Sequence, residues 1–205
     1  MKIGKIFIEK KYQIKGELNR IPPYSYNHFC KELSKVINLN SMTMSQRLKN
    51  KNANTKRVLL RHDIDHDPWT AEKMAVIESD FNLRATYFVL HTAPYFKHKF
   101  KKTMEICRNI QSLGHEIGLH NDLITDYFIN NIDPDENLSN LLTLFNNEGI
   151  NILGSASHGS PFIQKLNDTI DVDIYFPYAN YLVFSEIMDE RLRNLLDKKN
   201  RLILR

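Results

Sequence analysis

Within eight residues, Arg61-His62-Asp63-Ile64-Asp65-His66-Asp67-Pro68 gathers three carboxylates and two imidazoles. The apolar run Val58-Leu59-Leu60 leads into it without alternation and reads as a buried strand. The titratable groups then fall at or just past that strand's carboxyl end, where sheets and barrels of parallel strands bind ligands and do chemistry. Asp63 and Asp65 are two residues apart, so on a persisting strand they share a face while Ile64 points away. Carboxylates that close repel each other unless a cation, a proton or a positive side chain lies between them. Asp67 has a plainer use, as cap of the helix that Pro68 opens. His62 alternates with Asp63 and is expected to face away from a cavity that the aspartates line.

Two further strand ends carry a histidine. His120 closes the run His115-Glu116-Ile117-Gly118-Leu119-His120, and His158 sits in Gly154-Ser155-Ala156-Ser157-His158-Gly159-Ser160-Pro161. Neutral imidazole and carboxylate are the usual ligands of a catalytic zinc, which takes three protein ligands and keeps one position for water. Asp63, Asp65, His120 and His158 are therefore the candidate site residues. His115, five residues before His120, belongs to the strand's opposite end and reads as structural; His66 and His91 read as rim residues.

The elements that must position these groups alternate. Pro68 opens a helix with Ala71, Met74, Ala75 and Phe81 on one side, and 84–90 is rich in β-branched and aromatic residues, as strands are. A helix over 97–113 carries Met104, Cys107, Ile110 and Leu113 in steps of three, with Gly114 as its stop. The strand 115–120 follows, then a helix from Asp133-Pro134 with Leu138, Leu141, Leu142 and Phe145 inward, ended by Gly149. A strand at 150–153 delivers His158. This succession is that of βαβ units around a parallel sheet or barrel, an α/β fold. Upstream, 5–8 reads as a short strand, a helix starts near Tyr26, and 38–56 reads as a polar loop with room for one short helix. Downstream, strands are expected at 170–176, 181–184 and 202–204, and a helix at 186–197.

The chain of 205 residues fits one domain, 1–205, with 1–55 as an amino-terminal extension whose helix packs on the rest. Its 42% hydrophobic and 25% charged content are ordinary for a soluble globular protein. A formal charge of +4 without aromatic-interleaved basic repeats argues against a nucleic-acid partner. Two cysteines, Cys30 and Cys107, make no disulfide framework. The first residues lack the apolar core of a signal peptide, and no apolar run approaches the ~20 residues needed to span a bilayer. A cytoplasmic location is expected.

The segments Arg61-His62-Asp63-Ile64-Asp65-His66-Asp67-Pro68, Ala85-Thr86-Tyr87-Phe88-Val89 and Gly114-His115-Glu116-Ile117-Gly118-Leu119-His120 resemble, in order and spacing, three motifs of the polysaccharide deacetylase superfamily (carbohydrate esterase family 4). The resemblance covers about residues 55–165. It implies a distorted (β/α) barrel and metal-assisted removal of an N-acetyl group from an amino sugar, so that the partner is a carbohydrate substrate. By position, Asp63 matches the family's catalytic base, Asp65 its metal-binding carboxylate and His120 its first metal histidine. The family has its two acidic residues adjacent; Ile64 separates them here, which leaves their division of labour open. Ile124 stands where the family has its second histidine, and His158 is the candidate to replace it, as a metal ligand or as the proton donor. The turn 157–162 lacks the arginine of the family's third motif, and 201–205 offers no late histidine. The expected cofactor is a divalent metal, zinc by its donor set. Two rival readings remain: a degenerate deacetylase-like protein that binds carbohydrate without turnover, and a metal-dependent hydrolase of another substrate class. Oligomeric state is not legible in the sequence.

Overall fold

The computed structural model describes residues 25–36, 41–49, 58–159 and 182–183. Two helices, α1 (Tyr26–Val36) and α2 (Met44–Lys49), precede the first strand, β1 (Leu60–Ile64). Then come α3 (Pro68–Asp80), β2 (Ala85–Leu90), α4 (Pro94–His98), α5 (Phe100–Ser112), β3 (Glu116–Asn121), α6 (Leu123–Asn130), α7 (Pro134–Asn147), β4 (Gly154–Ser157) and β5 (Leu182–Val183). The strands are ordered β1-β2-β3-β4-β5; the first four are mutually parallel and β5 pairs antiparallel with β4. Spatial order thus follows chain order, and with right-handed crossovers this keeps the connecting helices on one face of the sheet. On that face α3 packs against α5, and α1 against α3.

Alternation along each strand divides the sheet into two chemically different faces. The helix-covered face carries Ile64, Tyr87, Val89, Ile117 and Leu119, all buried, over Ala75, Met104, Ile106 and Ile110 from the helices. It also holds a polar knot. The fully buried Glu78 of α3 accepts from His62 Nε2 at 2.6 Å, from Tyr87 Oη at 2.7 Å and from Tyr26 Oη of α1. Burial works to raise the Glu78 pKa, but the bond and charge of His62 and the two tyrosine hydroxyls outweigh it and hold it below the ordinary carboxylate value. His62 therefore points away from the aspartates, as alternation requires. His115 is structural too: its Nδ1 accepts from the Ala85 N–H at 3.1 Å and its Nε2 donates to the Ala75 carbonyl at 2.9 Å.

The opposite face is built in rows across the strands. Arg61, Thr86 and Glu116 form the lowest, Asp63, Phe88 and Gly118 the next, and Leu90, His120 and Ala156 the uppermost. α2 closes the lower end. The Met44 N–H donates to Thr86 Oγ1 at 3.0 Å, and Ser45 donates through its N–H (3.1 Å) and hydroxyl (2.8 Å) to Glu116 Oε2. At the upper end Tyr95 of α4 ties two strands together, accepting from the Leu90 N–H at 2.9 Å and donating to the Ile64 carbonyl at 2.5 Å.

Several expectations shift. β1 runs on through Ile64, so Asp63 lies within the strand and only Asp65 beyond it. The helix expected over 97–113 is two, redirected at Lys99, whose φ of −131° and ψ of 35° leave the helical region. The strand expected at 150–153 forms later, at Gly154–Ser157. Ile150 and Ile152 are buried on the way in, whereas the strand itself is made of small residues with little strand preference. α6 was not expected at all. The strand expected at 181–184 corresponds to β5, while those at 5–8, 170–176 and 202–204 and the helix at 186–197 lie outside the described residues.

Gly118 explains the close fit of the middle row. A Cβ there would stand 2.6 Å from the ring of Phe88 and 3.3 Å from the Gly154 carbonyl oxygen. Phe88 is completely buried and has nowhere to retreat. Gly118→Ala is expected to destabilise the fold by roughly 1–3 kcal/mol, the usual cost of overpacking, read from urea unfolding; adding Phe88→Leu should return part of that loss.

Candidate metal centre

Three upper strand ends converge on one point. Asp65 leaves β1 one residue past Ile64, whose carbonyl Tyr95 holds. His120 is the penultimate residue of β3, and His158 follows β4, its backbone N–H donating to the Asn121 carbonyl at 2.8 Å. Asp65 Oδ1 lies 3.5 Å from His120 Nε2 and 3.7 Å from His158 Nδ1; the two ring nitrogens are 3.2 Å apart. These three residues can hold a metal ion. The edges of their triangle match the ~3.4 Å ligand-to-ligand separation of a tetrahedral centre with bonds of ~2.1 Å.

The donor atoms are in the right state for it. His120 Nδ1 is 3.0 Å from the Ala156 carbonyl, an acceptor only, so Nδ1 carries the proton and Nε2 presents its lone pair to the centre. Burial lowers the His120 pKa, against the opposing pull of Asp63, and so favours the neutral ring that ligation needs. Asp65 Oδ1 is buried and accepts no hydrogen bond. Leaving a buried oxygen so costs about 1–3 kcal/mol, and a cation between it and the two imidazoles removes that cost. Two other buried side-chain atoms among the described residues lack a partner, Asp122 Oδ1 and Thr125 Oγ1, both at the start of α6.

Asp63 stands beside the triangle. Its Oδ2 is 3.8 Å from His120 Nε2, and Arg61 grips the carboxylate with both prongs, Nε to Oδ1 at 2.8 Å and Nη2 to Oδ2 at 2.9 Å. All four candidate residues are thus brought together. Asp67 is elsewhere, capping α3: its Oδ1 accepts from the Trp69 and Thr70 N–H groups at 3.0 and 3.1 Å. His66 is exposed. His91, expected at the rim, is buried behind the centre, 3.4 Å from the His120 carbonyl and 3.0 Å from Asp126 Oδ2 of α6. Ile124 is a partly buried residue of α6.

The residues missed by sequence reasoning are Arg61, Tyr95 and the His91–Asp126 pair. Arg61 had a readable signal, since it precedes Asp63 by two residues and must share its face. Tyr95 and Asp126 had none, because the partners that tie them to the centre, Ile64 and His91, are 31 and 35 residues away in the chain.

Asp65→Ala, His120→Ala and His158→Ala should each weaken a divalent ion's binding by about tenfold or more, measured by titrating zinc into metal-free protein; Ile124→Ala should leave it unchanged. The Asp126 pKa is drawn down to about 2, first by its bond to His91 and then by Asn137 and Asn130, against the opposing effect of burial. A depressed folded pKa means that the stabilisation is whole above the unfolded value of ~3.9 and lost as pH falls through the folded one. Urea midpoints should therefore drop as pH is lowered from about 4 to about 2, and Asp126→Asn should flatten that slope. Comparisons of the chain with protein-family models, with curated proteins and with solved structures find no match.

Proposed function

We propose that the protein is a metal-dependent hydrolase that removes an N-acetyl group from an amino sugar, on a distorted (β/α) barrel of the polysaccharide deacetylase type. The observation that carries this reading is the triangle of Asp65, His120 and His158 at the carboxyl ends of three parallel strands, with a second, non-coincident carboxylate, Asp63, on its edge. The consecutive strand order supports a barrel, because each crossover turns the same way and brings successive strand ends around one mouth.

Zinc suits a donor set of one carboxylate and two imidazoles. Such an ion polarises a carbonyl and lowers the pKa of a coordinated water to ~7. The protein's own part is then to hold and move protons. Asp63, held by Arg61 beside the triangle, would accept the proton of the attacking water and pass it to the departing amine. Asp65, His120 and His158 would hold the ion, with the Ala156 carbonyl keeping His120 in its ligating tautomer. Among the described residues no helix is long and apolar enough to cross a membrane. We infer that the substrate is an intracellular amino-sugar precursor, for example a lipid-linked or nucleotide-linked unit of a surface polysaccharide.

Zinc-loaded protein should release acetate from N-acetylated amino-sugar oligomers or precursors. Asp63→Asn should lower that rate by roughly 10²–10⁴-fold while retaining zinc. Zinc bound without acetate release from any such substrate would leave the rival readings, carbohydrate binding without turnover or hydrolysis of another bond, to be separated by testing phosphate esters and cyclic amides.

A further inference from the structure

The aspartate inside β1 and the one just past it both come close to His120. Asp65 Oδ1 is 3.5 Å from His120 Nε2 and Asp63 Oδ2 is 3.8 Å from the same nitrogen. An Asp63 side chain free to swing toward His120 would offer an ion a fourth ligand and fill the position that a hydrolytic centre must keep open for water. Asp63 differs from Asp65 in one respect. Both of its oxygens are engaged by Arg61, at 2.8 and 2.9 Å, whereas Asp65 Oδ1 is without a donor.

We propose that Arg61 is a positioning residue that keeps Asp63 out of the metal's coordination shell, so that of the two aspartates only Asp65 ligates and one coordination position stays open. The planar guanidinium can do this because its fork fixes both the distance and the plane of a carboxylate; an ammonium, a point charge, fixes neither. The fork is itself held from below. The Arg61 guanidinium carbon lies 5.2 Å from the centre of the Phe88 ring, and Phe88 is immobilised because its ring fills the space left by the missing side chain of Gly118. Gly118, Phe88, Arg61 and Asp63 thus form one packed column that ends at the metal's edge.

This inference rests on the metal-centre reading, and its test reads the ion rather than the product. Zinc affinity is measured by competition with a chromophoric chelator, and coordination by the visible spectrum of the cobalt-substituted protein. The variants are Arg61→Lys and Arg61→Gln, alone and each combined with Asp63→Asn. With the fork removed, Asp63 swings onto the ion: both single variants should bind zinc more tightly, on the order of tenfold, and their cobalt spectra should change. Adding Asp63→Asn should return affinity and spectrum toward wild type. Arg61→Lys keeps the charge, so an effect of charge alone would leave it like wild type, and that result overturns the proposal. A gain that survives Asp63→Asn, or weaker binding in both single variants, overturns it as well. Should Arg61→Gln fail to fold, the lysine variant decides alone. Wild-type protein that binds no zinc would remove the metal centre itself, whereas zinc binding without acetate release would sink the deacetylase reading and leave the role of Arg61 standing.

Discussion

A five-residue strand in which alternate side chains face opposite ways is the constraint on which this structure depends. On one side of β1, His62 joins Glu78, Tyr26 and Tyr87 in a buried polar knot beneath the helices. On the other, Arg61 and Asp63 pair, and Asp65 continues the same face toward two histidines. The two sets interleave residue by residue, so a shift of β1 by one position would bury Asp63 beneath the helices and carry His62 to the mouth. The knot around Glu78 therefore does more than satisfy a buried carboxylate. It specifies the register in which the opposite face can be assembled, and Tyr26 extends that specification to α1, ahead of the sheet in the chain.

Much of this was legible beforehand. The alternation of apolar runs and helical spacings foretells four parallel strands with helices between, and the spacing of Asp63 and Asp65 foretells their common face. The capping by Asp67 and the structural use of His115 follow from local chemistry alone. What escaped did so for physical reasons. β4 is Gly-Ser-Ala-Ser, and small residues are chosen where neighbouring backbone approaches closely, as the Gly154 carbonyl does to Gly118. Its identity as a strand comes from its partners on either side, which no local pattern encodes. The break at Lys99 separates α5 from the short α4, whose Tyr95 hydroxyl bonds to Leu90 and Ile64 at once.

The centre itself was read from residue types, yet its geometry depends on contacts that types do not announce. Asp65 and Asp63 look interchangeable as letters. They differ because one follows the strand and keeps an unpartnered oxygen, while the other lies inside it within reach of Arg61. His91 and Asp126, distant from each other in sequence, meet behind His120 and anchor α6 to the strand that bears it. A ligand set is thus only the visible end of columns of packed and hydrogen-bonded groups that run down into the sheet.

The short β4 serves the centre twice over, with His158 directly after it and with the Ala156 carbonyl that sets the tautomer of His120. An ion bound at the centre would therefore be coupled to the pairing of β4 with β3. Whatever free energy the seated strand adds to ion binding, the ion must return in equal measure to the seating of the strand. β4, poor in side chains of its own, would then be seated more firmly with an ion at the centre than without one.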